Sequence, residues 1–336
     1  AIETTDIGAI STSGIRALTA AAVGALNSDQ IANLVSNQIG ALTTTQIAAL
    51  NTDQAAAIET RDLGALGTAS IRALTTAAVA ALTTDQIGVL TTTQVAALAT
   101  NQVAALTTDQ IAALTSADVG ALGTAQVGAM NTAQVLAIET GDLTALSTGG
   151  VRALTTAAIN AMSTDQISVL RTTQIGALST AQIAAMNTDQ VAALTSTQMG
   201  TLSSAQAAAL NTAQAAAIET TDIGQLSTSA IRALSTSAVA ALNTDQLAAL
   251  TSTQVAALSS TQAAALTSNQ INGIETTDLT ALNTASVRSL STNAINALTT
   301  DQVAVLNTNQ IGALGATQVQ ALRTDEVAAL TSAQAA

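Results

Sequence analysis

Every eighth position from Ile2 to Leu330 is Leu, Ile or Met. Counting octads from Glu3, the fifth position is Ile or Val, or in some octads Ala, Leu or Met, and the seventh is usually Ala. Polar residues gather at the start of the unit, which reads Thr-Thr-Asp-Gln-Ile-Ala-Ala-Leu over Thr107–Leu114. The second position is Thr or Ser except at Ala20 and Ala316. A register held over the whole chain predicts a one-dimensional stack of small units rather than a globule.

The fifth and eighth positions are three apart and share one face of a helical turn. Ahead of them, runs such as Thr43-Thr44-Thr45-Gln46 fit a capping box in which Gln reaches back to the cap. Asp at the third position, as in Asp53 and Asp109, falls near the positive end of the helix dipole. One unbroken helix would need about 4.0 residues per turn instead of ~3.6, and its aliphatic row would drift by ~80° per octad. The pattern therefore predicts an all-α solenoid: a helix of five or six residues per octad, a tight bend, then the next helix, with second-position Thr/Ser as caps. A β-solenoid with one short strand per octad is the alternative. Against it, Ala and Gln are poor strand residues, and positions seven and eight would point to opposite faces.

A slower rhythm runs over the octads. Ile-Glu-Thr-x-Asp begins at Ile2, Ile58, Ile138, Ile218 and Ile274, so that successive starts lie 7, 10, 10 and 7 octads apart. Third-position Asp before Gln or Glu recurs at Asp29, Asp53, Asp85, Asp109, Asp165, Asp189, Asp245, Asp301 and Asp325. Both series fit 17 octads per five cycles, a superhelix of 3.4 octads per turn. Residues of one type then align as stripes.

The chain of 336 residues has no His, Cys, Lys, Pro or aromatic residue, which removes the commonest general base, the thiol nucleophile and the usual zinc and iron ligands. The remaining Asp, Glu, Arg, Ser and Thr recur as copies, whereas an active site is a singular constellation; no enzyme activity and no cofactor are expected. A net charge of −13 with eight basic residues, all Arg, argues against nucleic acid. No apolar run approaches the ~18 residues of a membrane span, and the start carries no basic and apolar signal-peptide regions. No composition shift marks a boundary, so residues 1–336 are expected to form one continuous array, an excerpt of a longer repetitive chain.

In each Ile-Glu-Thr-x-Asp octad an Arg follows ten residues after the Asp. The sets are Glu3, Asp6 and Arg16; Glu59, Asp62 and Arg72; Glu139, Asp142 and Arg152; Glu219, Asp222 and Arg232; and Glu275, Asp278 and Arg288. The expected role is a structural charge ladder that fixes the register of stacking, with Arg held by carboxylates of neighbouring turns. A repeated anion- or glycan-binding groove is the sharper alternative. The Asp29-to-Asp325 stripe lacks the Gly/Asp-dense loops of calcium sites, and no metal site is expected.

The run from Ala105 to Thr115, Ala-Leu-Thr-Thr-Asp-Gln-Ile-Ala-Ala-Leu-Thr, resembles the Ala/Thr/Gln-rich octapeptide arrays of very large bacterial cell-surface and adhesin-like proteins. That resemblance spans the chain and implies a secreted, fibrous role, but it carries over no binding residues. Ice-nucleation octapeptides differ in being rich in Gly and Tyr. The expectation is a structural repeat protein forming an extracellular filament, stalk or adhesin shaft at a bacterial surface. Its chains would self-associate end to end or laterally, with a surface glycan as the candidate ligand. The other functions considered are a repetitive surface for ice, glycan or divalent cations, and an intracellular ruler.

Overall fold

A computed structural model describes residues 3, 4 and 6–335, so Ile2, the first of the aliphatic row, lies outside the described residues. The described residues form 39 α-helices of four to six residues and two 3₁₀ turns, Ile7–Ala9 and Asp142–Ala145, with no strand among them. The chain is a helical-repeat solenoid, one short helix per octad, and the β-solenoid is not supported. It divides into two compact units, Ala1–Leu170 and Arg171–Ala336.

Each octad folds the same way for local reasons. The eighth-position aliphatic and the residue after it are extended, as at Leu106 (φ −59°, ψ 140°) and Thr107 (φ −75°, ψ 164°). Two extended residues therefore make the bend, and no positive φ is needed anywhere among the described residues. The cap is the first position, not the second: Thr107 accepts from the Gln110 backbone, and Asn51 from Gln54. The second position is the first helical residue, mostly exposed, so its Thr/Ser row does not cap as expected. Asp53 and Asp109 do stand in the first turn, where the helix dipole favours a carboxylate.

Helices this short are unstable alone; neighbours hold them. Fifth- and eighth-position side chains fill the interior, as Ile111 and Leu114 do in the first unit and Leu247 and Leu250 in the second. Each such burial is worth roughly 1.5–3 kcal/mol. Within each unit a helix packs on the one three octads later, Thr52–Ala56 on Thr76–Ala81 and Ser204–Ala208 on Thr228–Ala233. The sixth position of one octad meets the seventh-position carbonyl of that later octad. A Cβ on Gly40 would lie 2.9 Å from the carbonyl oxygen of Ala65, which is why small residues dominate both positions.

Fourth-position Gln joins successive turns. Gln110 is buried, its Oε1 accepts from the Thr107 backbone N–H at 2.8 Å, and its Nε2 donates to Val79 at 2.9 Å and Leu82 at 2.7 Å. The pattern repeats at Gln38 on Ile7 and Ile10, and at Gln302 on Ile271 and Ile274. One amide thus finishes its own cap, satisfies the open eighth-position carbonyl four octads earlier, and adds a second donor to the fifth-position carbonyl, which already accepts from the eighth-position N–H. Packing at three octads and bonding at four bracket a turn of 3.4.

Candidate functional site

The five charged octads break this pattern. Their Asp takes the place of Gln, and the next two octads carry Gly, Ser or Ala there: Asp62, Ser70 and Ala78, or Asp222, Ala230 and Ala238. For three octads, nearly a full turn, the glutamine bridge is absent. Some helices with these small residues, such as Thr76–Ala81 and Thr228–Ala233, pack extensively on the octad three before them, whereas others, such as Thr68–Ala73 and Thr292–Asn296, pack no more closely than helices that carry Gln.

The replacement Asp has its own partner. Ser36 donates its hydroxyl to Asp62, Ser116 to Asp142, Ser196 to Asp222 and Ser252 to Asp278, each across 26 residues. Asp62, Asp222 and Asp278 are buried, so the hydroxyl offsets part of the cost of desolvating a carboxylate. Asp6 is exposed. Ser in place of the usual Thr at these second positions is a signal present in the chain and overlooked in reading it. Asp118, also buried, accepts instead from Thr115 in its own octad.

The arginines of the charged octads sit elsewhere. They occupy the sixth position of the following octad, in the last turn of its helix. Arg16 donates its Nε to the Ala41 carbonyl at 3.5 Å, and Arg232 to that of Ala257 at 3.2 Å. Among the described residues no carboxylate forms an ion pair with Arg16, Arg72, Arg232 or Arg288. Arg152 has further interactions. Glu59, Glu219 and Glu275 are N-cap residues whose side chains make no cap bond; Glu3 is exposed, and Glu139 opens the octad of the 3₁₀ turn. Register across the charged octads is thus carried by Asp–Ser and Arg–carbonyl bonds. Asp62 additionally lies 3.7 Å from Arg61.

One further site inverts the usual arrangement. Glu326 holds a fourth position, and Arg323 at its cap donates to the Asn296 and Leu298 carbonyls in place of a Gln amide. Glu326 Oε1 lies 3.1 Å from Arg323 Nη2 but without hydrogen-bond geometry, and burial pushes its carboxyl pKa up.

No group of three or more acidic side chains that could hold a metal occurs among the described residues. No described helix is long and apolar enough to cross a membrane. The surface instead carries recurring shallow clefts. One lies at Arg16 and another at Arg232, while the start of the charged octads at Glu59 and at Glu139 forms a second equivalent pair.

A solenoid of capped octads with Gln at the fourth position defines a class of helical-repeat protein. The chain belongs to the ALTTAQ repeat family, whose pattern matches residues 1–36, 55–92, 88–116, 135–172, 168–204, 215–252, 244–273, 271–308 and 304–332. Ala-Leu-Thr-Thr-Ala-Gln corresponds to positions seven and eight followed by one to four, ending on the bridging Gln. Five matches start at 1, 55, 135, 215 and 271, one to three residues before each Ile-Glu-Thr-x-Asp. The other four, starting at 88, 168, 244 and 304, begin between or beyond charged octads. No curated protein matches the chain.

Proposed function

We propose that this structural repeat protein serves as a shaft, a filament or adhesin stalk outside a bacterial cell, and that it is not an enzyme. One observation carries the reading: within each unit an octad packs on the octads three away through the same buried positions, and most are tied to the octad four earlier by the same Gln amide. Stability of that kind is a sum of near-neighbour terms, so length can grow without a larger core. The groups available for chemistry recur in many copies, which suits mechanical support better than turnover. Few Arg, no Lys and no aromatic residues leave trypsin-like and chymotrypsin-like proteases little to cut, an advantage outside a cell. Chains of this kind would associate end to end or side by side.

Electron microscopy of the native material tests the proposal. Long thin fibres at the cell surface are expected; isolated short particles in the cytoplasm would overturn it and favour a ruler. Thermal hysteresis, or a calcium-dependent rise in melting temperature, would instead favour a recognition surface for ice or cations.

A further inference from the structure

Two of the charged octads are followed by the next after seven octads rather than ten, at Ile2 to Ile58 and Ile218 to Ile274. In these short intervals the octad reached by one Arg is the octad that supplies Ser to the next Asp. Arg16 reaches Ala41, and Ser36 in the same octad donates to Asp62. The relation recurs in the second unit, where Arg232 reaches Ala257 and Ser252 donates to Asp278. Across a long interval the two fall apart: Arg72 is followed by Thr92, and the next such serine is Ser116.

A cleft lies at the Arg of each short interval, and the first is lined by the serine as well. The first, of about 500 Å³, is walled by Thr12, Ser13, Arg16, Ser36 and Asn37, with Gly40, Ala41 and Ala65 beneath. The second, of about 250 Å³, lies at Thr228, Ser229, Arg232 and Ala257, the counterparts of Thr12, Ser13, Arg16 and Ala41. The clefts lie one in each unit.

We propose that these clefts bind a hydroxylated carboxylate, the chemistry of a uronic acid. The guanidinium is steadied through Nε on a backbone carbonyl and meets no carboxylate of the described chain. Its remaining N–H groups are suited to a bidentate carboxylate. Opposite, Ser36 has its proton engaged on Asp62 and offers only lone pairs, so that wall accepts from a ligand hydroxyl. Ser13, Thr12 and Asn37 can donate or accept, and the small-residue floor admits a pyranose ring. One Arg per cleft fits a monoanion. A phosphate dianion would meet too little positive charge on a chain of −13. With no aromatic ring to stack on a sugar, single-site affinity belongs in the millimolar range.

NMR titration of the full chain with galacturonate, galactose and acetate tests this. Saturable shifts around residues 12–41 and 228–257 with galacturonate are expected, at least tenfold weaker with either control. Arg16→Gln with Arg232→Gln should abolish them, while Arg72→Gln should leave them unchanged. Arg16 and Arg232 are exposed, and an unaltered helical spectrum verifies folding. No shifts with galacturonate, equal binding of acetate, or binding that survives the double substitution would overturn the proposal. Polygalacturonate separates the sources: a gain in avidity over the monomer assigns a polysaccharide, and none assigns the free sugar acid.

Discussion

The side-chain amide of Gln110 donates to the carbonyl of Leu82, 28 residues earlier, at 2.7 Å. Together with its bonds to Val79 and to the Thr107 backbone, this makes one side chain both a helix cap and an axial tie. Gln110→Ala would strand the Leu82 carbonyl and the Thr107 cap N–H in one step, while the Val79 carbonyl would keep only its bond from the Leu82 N–H. A loss of about 2–3 kcal/mol is expected, measured as faster amide hydrogen exchange in the octads around 79–114. Exchange unchanged there would mean that packing alone joins the turns.

Glu326 supplies a pH test. Burial raises its folded-state pKa above the ordinary value of 4.5, so the folded chain binds more protons than the unfolded one above that pH. Its contribution is therefore favourable below 4.5 and is lost as pH rises through the raised value. Glu326→Gln should stabilise the C-terminal octads at pH 7, by local exchange protection, and the gain should vanish near pH 4. A gain independent of pH would show that the carboxylate charge is not the cause.

Much of this was legible beforehand because it is relational. The spacing of Ile58, Ile138 and Ile218 encodes the turn whatever the octads look like, and Thr43 with Gln46 announces its own cap. The cap was misplaced by one residue because positions one and two are both Thr/Ser-rich; Asn at Asn51, Asn131 and Asn187 was the distinguishing mark. The second role of Gln was hidden, since an amide donor reveals nothing about an acceptor four octads earlier until the turn closes. Asp62 looked like a partner for Arg because opposite charges suggest one. Its fourth position turns it inward, while the sixth position of Arg72 lies on the outer edge.

The glycines at the sixth position should divide by what faces them. In Gly176 an added Cβ meets nothing within 4 Å, whereas in Gly40 it meets the Ala65 carbonyl oxygen at 2.9 Å. Gly176→Ala should stabilise by roughly 0.5–1 kcal/mol through helix propensity. Gly40→Ala should destabilise, because backbone must move. Thermal melts of the two variants, shifted in opposite directions, are the expected result; two upward shifts would show that the turns are not in contact there.

The serine–aspartate pairs make the sharpest claim about register, because they explain why Ser displaces Thr at particular places. Ser36→Ala removes the hydroxyl donated to a nearly inaccessible Asp62, and a buried acceptor left short of a donor costs about 1–3 kcal/mol. Arg61, 3.7 Å away, is largely exposed, so it cannot make good the loss. Ser204→Ala is the control: it is also a second-position Ser, yet the place that Asp62 holds relative to Ser36 is filled there by Ala230, which has no side-chain acceptor. The control should change stability by less than about 0.5 kcal/mol, the usual surface effect. Asp62→Gln then separates register from charge, since Gln is what the other turns use: combined with Ser36→Ala it should recover most of the loss. If the double variant is no better than Ser36→Ala alone, the turns at the charged octads have closed too far to admit an amide, and the pair is built into the spacing itself.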